Sequence, residues 1–344
     1  MVMPSTTGSS PAVAFVIPYY DDGSAWRRDC LRLTLDSLER QTDPDWCAYL
    51  VDDASPAPGT AEFLAGLAAS PAGRVTVLRA PRNAGAGQAR NLGIEAAHRD
   101  GHPLLAYLDA DDLAHPGRVA AVRAAFAADP ELDFAYNDVE FIDEHGAAWD
   151  PDGLLPGLRM LDEQQKLPKL RGRERWFEQA VERDNIAIPS AMNLRTDLAR
   201  RVPFPASPFC EDVATLFRYL GSGAAIDHVP GVPTRYRVPK EGGSASRRQS
   251  GGVDAFNRMR CVNERAGLQE AIASAVARGA ADARTGRAAL CRYLLRIGRT
   301  VTADGSPDLG RSQLREAREL DPETFAAHAT AAELADAAAP PTVR

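Results

Sequence analysis

Through the first 150 residues, short continuous apolar runs alternate with stretches in which apolar side chains recur every three or four positions. The runs read as buried strands and the spaced stretches as amphipathic helices. Residues 12–20 form the first such strand, with Pro18 near its end. Leu31, Leu35 and Leu38 mark a helix ended by Gln41, Thr42 and Pro44. Residues 47–51 are a second strand, and the loop with Pro56, Pro58 and Gly59 leads to a helix around 61–69. Residues 74–78 predict a third strand, 88–98 a helix, and 104–108 a fourth strand. Pro116 suits a first helical position, and Val119, Val122 and Phe126 share one face of the helix that follows. Residues 133–142 predict a fifth strand, with a turn over 143–146.

Continuous apolar strands separated by helices argue for an α/β protein with a mainly parallel sheet covered on both faces. Ligands of such sheets bind beyond the carboxyl ends of the strands. Pro18, Tyr19 and Asp21, then Asp52, Asp53 and Ser55, then Asp109, Asp111 and Asp112 fall there, so acidic groups from separate strands are expected along one edge. Beyond residue 150 the pattern loosens. Residues 184–194 read as strand and loop near the site, 211–220 as a short helix and 224–238 as one or two strands. Gly242, Gly243, Ser244 and Ser246 mark a flexible loop. From 252 to 337 the chain is helical in character.

Composition narrows the class. With 44% hydrophobic and 25% charged residues, an ordinary globular core is expected. A net charge of −7 gives no footprint for nucleic acid. Cys30, Cys47, Cys210, Cys261 and Cys291 are widely spaced with no CxxC pair, which disfavours zinc and fits a reducing compartment. Arg27 is the first basic residue, and the apolar run over 13–17 is too short for a signal core or a membrane span. A soluble, cytoplasmic protein is therefore expected.

Asp109-Ala110-Asp111-Asp112 is the strongest chemical signal. In extended backbone, residues two apart project to one side. Two carboxylates that close repel unless a cation joins them, and Mg²⁺ or Mn²⁺ commonly bridges a few carboxylates to substrate phosphates. A capped strand-to-helix turn is the plain alternative. Asp52 and Asp53 could bond base or ribose edges, or simply form an Asx turn. The stretch 83–91 looks superficially like a phosphate loop, but Arg90 stands where GxGxxG needs its third glycine. Arg90 suits bidentate contact with a nucleotide, or a solvated helix start. Glu211 and Asp212 open a helix, where acidic residues ordinarily stabilise the dipole; Asp212 as a general base is the functional reading. Arg235, Arg237, Lys240, Ser244 and Ser246 suit a loop closing over a diphosphate, or an ordinary solvated loop.

In order, these pieces resemble the family 2 glycosyltransferases. Val16-Ile17-Pro18-Tyr19-Tyr20 matches the family's opening strand and Pro-x-Tyr. Ser37 to Thr42, Trp46 and then Val51-Asp52-Asp53-Ala54-Ser55 are similar to its SLxxQT…W…VDDGS stretch, with Ala54 where the pattern carries glycine. Asn83-Ala84-Gly85 with Ala89-Arg90-Asn91 and Gly93 resembles its N.G…ARN.G block. Asp109-x-Asp111 resembles its DxD metal motif, and Asn193-Leu194-Arg195 followed by Glu211-Asp212 resembles its acceptor region ending in ED.

The resemblance covers about 12–240 and implies a GT-A fold: a Rossmann-like sheet flanked by helices, here with a C-terminal helical extension. It divides the chain into a disordered 1–11, a transferase domain over 12–245 with nucleotide-binding (12–112) and acceptor (113–245) halves, and helices over 252–337. Pro18, Tyr19, Asp52, Asp53 and Arg90 would line the base and ribose of a UDP- or dTDP-sugar. Asp109 would touch the ribose or the metal, and Asp111 would ligate Mn²⁺ or Mg²⁺. Where family members commonly have a histidine near the late loop, this chain offers Arg237, Lys240, Ser244 or Ser246 to the diphosphate. Asn193 and Glu211 would lie on the acceptor side, and Asp212 would be the base of an inverting transfer to a hydroxyl of a glycan, a lipid-linked acceptor or a natural product. A nucleotidyltransferase is disfavoured because the first strand ends in Pro-Tyr-Tyr-Asp-Asp, not in a glycine- and arginine-rich phosphate loop. An inactive nucleotide-sugar sensor is disfavoured by the retention of Asp111 and Asp212. The arginines of the C-terminal helices offer a solvated face, an anionic acceptor or inner-membrane surface, or a homodimer contact.

Overall fold

The computed structural model describes residues 12–69, 73–150, 153–154, 156–183, 185–239 and 250–338. The chain forms two units. One comprises Met1–Asp138, Pro189–Arg201 and Val229–Arg235; the other comprises Val139–Ile188, Val202–His228 and Tyr236–Arg344.

The first unit runs β1 (Val13–Tyr19), α1 (Ala25–Glu39), β2 (Trp46–Asp52), α2 (Thr60–Ala68), β3 (Val75–Arg79), α3 (Ala86–Arg99), β4 (Leu104–Tyr107), α4 (Arg118–Ala128) and β5 (Phe134–Tyr136). Later in the chain β7 (Met192–Arg195) and α7 (Thr196–Arg201) return to it. Its six strands lie in the order β3-β2-β1-β4-β7-β5. The first four pair in parallel, and β7 runs antiparallel to both β4 and β5. All seven residues of β1 are buried, as an inner strand covered on both faces requires. Phe15, Ile17, Leu50, Leu104 and Ala106 of the strands join Leu31, Leu38, Val119 and Val122 of the helices in one core. Gly93 of α3 sets the helix down on the sheet: a Cβ there would stand 2.5 Å from Val16 Cγ1 and 3.3 Å from Val51 Cγ2.

The predicted fifth strand over 133–142 is two strands, β5 and β6 (Val139–Ile142), which belong to different units. The break falls at Asn137 and Asp138. There the backbone changes partner: Asn137 N donates to the Ala191 carbonyl at 3.1 Å, whereas the Asp138 carbonyl accepts from Thr234 N at 2.8 Å, and Asn137 Nδ2 donates to the Thr234 hydroxyl at 2.8 Å.

The second unit contains β6, α5 (Pro156–Lys166), α6 (Trp176–Val181), α8 (Glu211–Gly221), β8 (Ile226–His228) and the end of β9 (Thr234–Arg237), which pairs with β6. The helical end follows: α9 (Val253–Ala277), α10 (Ala283–Ala303), α11 (Pro307–Leu320), α12 (Pro322–His328) and α13 (Ala331–Ala338). Asp282 caps α10 by accepting from Thr285 N, and Asp321 caps α12 by accepting from Thr324 N. Among the described residues no helix is long and apolar enough to cross a membrane.

Candidate active site

Because β1, β2 and β4 are parallel neighbours, their carboxyl ends share one edge of the sheet. At the end of β1, Asp21 is fully buried. Its carboxylate accepts from Gly23 N at 2.9 Å, Arg28 Nε at 2.8 Å and the Thr60 hydroxyl at 2.9 Å, while Asp21 N donates to Ser55 Oγ at 2.7 Å. Burial works to raise this carboxyl, but the bonds from Gly23, Thr60 and Arg28 outweigh it and hold the group below the usual range. Asp21 thus ties the β1 exit to the β2 exit and to α2. Pro18 and Tyr19, expected to line the base, are buried. The Tyr19 ring packs in the core against Phe63, with centroids 6.4 Å apart. Its hydroxyl has no partner among the described residues, and burial raises it well above the ordinary tyrosine range.

At the end of β2, the Asp52 carboxylate accepts from Ser55 N at 2.9 Å and from Arg79 at 2.5 Å. The Arg79 side chain is half exposed at the edge, at the last residue of β3. Asp53 turns inward: its two oxygens accept from Ala84 N at 3.0 Å and Gly85 N at 2.8 Å. Both oxygens hold the loop that enters α3, which is where the structure places this residue expected at the base and ribose. Gly85 needs its φ of +89° to present that N–H. Between these aspartates and Ser55, Ala54 takes a φ of +53°, the left-handed region that favours glycine. That backbone accounts for the glycine at this place in the pattern.

At the end of β4 the chain does not stay extended. Asp112 N donates to the Asp109 carbonyl at 3.1 Å, which closes 109–112 as a turn. The two-residue alternation expected for Asp109 and Asp111 therefore does not operate; the turn itself presents both partly exposed carboxylates while Asp112 is buried. Asp109 Oδ1 is held at 2.5 Å by Arg90, whose side chain is buried. Arg90 thus binds the acidic turn from the first turns of α3.

Two residues not singled out by the sequence underpin this turn. Ser190 Oγ accepts from Asp109 N at 2.8 Å. Arg118, the first residue of α4, is completely buried. It donates to the Ser190 carbonyl at 2.6 Å, the Tyr107 carbonyl at 3.1 Å, the Met192 carbonyl at 3.2 Å and twice to Asn193 Oδ1, at 3.0 and 3.1 Å. Burial pushes its guanidinium down to about 9, with Asp112 acting the other way, so it is charged at neutral pH. Asn193 is also fully buried, and its Nδ2 donates to Asn137 Oδ1 at 3.2 Å. The structure thus places Asn193, expected on the acceptor side, in the support beneath the turn. Pro116, two residues before Arg118, and the reading of 184–194 as strand and loop near the site were the sequence signals near this network.

In the second unit Glu211 is buried and Asp212 partly exposed at the first turn of α8. Asp212 Oδ1 accepts from Val213 N at 2.9 Å. Arg237, expected on a diphosphate, is buried and donates to the carbonyls of Asp143 at 3.0 Å and Glu144 at 3.1 Å. These bonds lock the 143–146 turn. Lys240 and Ser244 lie outside the described residues.

Among the described residues no group of three or more His, Cys, Asp or Glu side chains is arranged to hold a metal. Asp111 and Asp109 offer what Mg²⁺ and Mn²⁺ use when substrate phosphates complete the shell: one or two carboxylates from a turn. The donor set fits an ion carried by a phosphorylated ligand, not an all-protein cage.

Comparison with known proteins bears on the family and the fold. Residues 14–183 match the model of glycosyl transferase family 2. The O-antigen biosynthesis protein RfbC of Myxococcus xanthus is 35% identical over 150 residues, covering 41% of this chain and 11% of that protein. The succinoglycan biosynthesis protein ExoW of Rhizobium meliloti (strain 1021) is 42% identical over 101 residues, covering 29% of this chain and 30% of that protein. The matched segments thus span less than a third of either relative. In fold the chain is similar to residues 1–349 of S. aureus TarS in complex with UDP-GlcNAc, with a TM-score of 0.57 at 13% identity, covering 92% of this chain and 83% of that one. It is also similar to the mannosyltransferase PcManGT of Pyrobaculum calidifontis in complex with GDP-Man and Mn²⁺, with a TM-score of 0.54 at 18% identity, covering 95% and 78%. The mainly parallel sheet with flanking helices is the GT-A fold of these neighbours.

Proposed function

With residues 14–183 placing the chain in glycosyl transferase family 2, we propose that it transfers a sugar from a nucleotide diphosphate donor to an acceptor hydroxyl, with inversion at the anomeric carbon. The observation that carries this reading is the Asp109–Asp112 turn, pinned by Arg90 from one side and by Ser190 and Arg118 from beneath. A turn whose Asp109 carboxylate and amide are both held suits a charged ligand that must be placed closely. Neighbours in complex with UDP-GlcNAc or with GDP-Man and Mn²⁺ support a nucleotide-sugar donor.

Asp111 and Asp109 would hold a divalent cation together with the donor phosphates. When bound, such an ion supplies neutralisation of the charge that gathers on the leaving diphosphate. Arg90 orients Asp109. Asp52, oriented by Arg79, stands at the neighbouring strand end for the nucleoside. Asp212 is assigned the acceptor proton: it accepts that proton as the hydroxyl oxygen attacks C1 and the C1–O bond to the diphosphate breaks. One displacement of this kind inverts the centre without a covalent sugar–enzyme intermediate. General-base assistance contributes roughly 10²–10⁴-fold to rate.

A thermal-shift screen of UDP-, dTDP- and GDP-sugars with Mn²⁺ and Mg²⁺ should find one donor that stabilises the protein only with metal. With that donor, Asp212→Asn should lower turnover by roughly 10²–10⁴-fold and leave donor binding intact. Asp111→Ala should remove the metal-dependent stabilisation. A protein stabilised by no sugar nucleotide, with or without metal, refutes the reading.

A further inference from the structure

The helix that opens with Glu211 and Asp212 is gripped by a helix outside the family match. Near the start of α8, a Cβ at Gly267 of α9 would stand 2.6 Å from both the Cα and the carbonyl oxygen of Ala214. At its end, a Cβ at Gly221 would stand 2.4 Å from Ala271 Cα. The two helices therefore touch backbone to backbone at both ends of α8, an approach that only small residues permit. Arg218 of α8 pairs with Glu270 of α9 at 2.7 Å, and Arg278, just past α9, donates to the Gly221 carbonyl at 2.8 Å.

The same helix holds the turn that leads into α8. Asn263 Nδ2 donates to Ser207 Oγ at 2.5 Å and to the Phe209 carbonyl at 2.9 Å, and Ser207 Oγ donates to that same carbonyl at 2.7 Å. Directly after this knot Cys210 sits at a φ of +58°, a backbone that a non-glycine residue keeps only when its surroundings impose it. Glu211 and Asp212 come next. Their direction is thus set by one strained residue, and Asn263 fixes the segment on its upstream side.

We propose that Asn263 is a positioning residue for Asp212, and that α9 is the splint that aims the base. This rests on the assignment of Asp212 as the base. Misplacing a catalytic group by about 1 Å can cost on the order of 10²-fold in rate. Removing two bonds at the hinge should cost roughly 10- to 100-fold in kcat.

The test compares full-length Asn263→Ala, Asp212→Asn and the double variant, using the donor that stabilises the wild type most among UDP-, dTDP- and GDP-sugars. Its slow hydrolysis by water reads turnover. Asn263→Ala should lower kcat while donor KM and donor-induced stabilisation stay within about twofold, and Asn263→Ser, which keeps one donor, should recover part of the rate. In the Asp212→Asn background the loss of Asn263 should cost nothing further, because it acts through the group already removed. Wild-type kcat in Asn263→Ala, or losses that multiply in the double variant, would overturn the proposal while leaving Asp212 as the base. Full activity in Asp212→Asn would remove the base assignment, and this proposal with it.

Discussion

The most exposed quantity in this reading is the strength of the Arg118 network. Replacing Arg118 with methionine keeps much of the stem's bulk and removes the guanidinium. The Tyr107 and Met192 carbonyls each lose the guanidinium bond, and Asn193 Oδ1 loses two donors. The Ser190 carbonyl keeps a bond from the Thr234 hydroxyl at 2.8 Å. A buried acceptor left without its donor costs about 1–3 kcal/mol. Removing the guanidinium also cancels the cost of burying it, so the sum is not simply additive. Breaking one side of a buried charged network costs about 3–5 kcal/mol, which is the expected loss here. For a unit of this size that corresponds to a fall of roughly 6–20 °C in Tm, read by scanning calorimetry. Lysine in place of Arg118 supplies a charge but no planar fork for four spread acceptors, so it should recover less than half of the loss. If Arg118→Met lowered Tm by less than about 3 °C, the network would not support the acidic turn as described.

Two further outcomes follow from local features. Ala54→Gly relieves a side chain from the left-handed region and should raise stability by about 0.5–1 kcal/mol, seen as a higher urea midpoint at unchanged m; a lower midpoint would mean that the Ala54 methyl group packs usefully. The Arg299 guanidinium beside Glu333, helped by Thr330 N–H, pulls that carboxyl down to about 2. Since its folded value lies below the ordinary glutamate value of 4.5, its contribution is complete above that pH and is lost as pH falls toward 2. Amide exchange over α13 should therefore accelerate across that window ahead of α10, and equal protection at both ends of it would contradict the pairing.

Much of this was legible in the chain itself. The first four strands fall within a residue or two of their apolar runs; β1, β2 and β4 are inner strands with no polar face to blur them, and the edge strand β3 is marked by its β-branched Val75, Thr76 and Val77. The clustering of Asp21, Asp52 and Asp109 at one edge follows from parallel order alone. What could not be read were the bonds closed over long separations. Arg118 meets Asn193 across 75 residues and Asp109 meets Ser190 across 81, and neither pair shares a local pattern. For the same reason Asn193, Asp53 and Arg237 look like open polar groups in the sequence, yet each is filled by a partner within its own unit. Asp109–Asp112 misled differently: a buried strand gives no sign of where it curls, and the turn begins two residues after β4 ends.

The strand order has a practical consequence for anyone dissecting this protein. Similarity to the family ends at residue 183, whereas β7 begins at Met192 and lies between β4 and β5. A fragment cut where similarity ends would carry every acidic motif of the first unit and still have a gap through the middle of its sheet. β5 would lose its β7 partner, and the Asp109 amide would lose its hydroxyl. A ribosome-bound chain faces the same wait, since the acidic turn cannot be braced until a segment some 80 residues downstream has emerged.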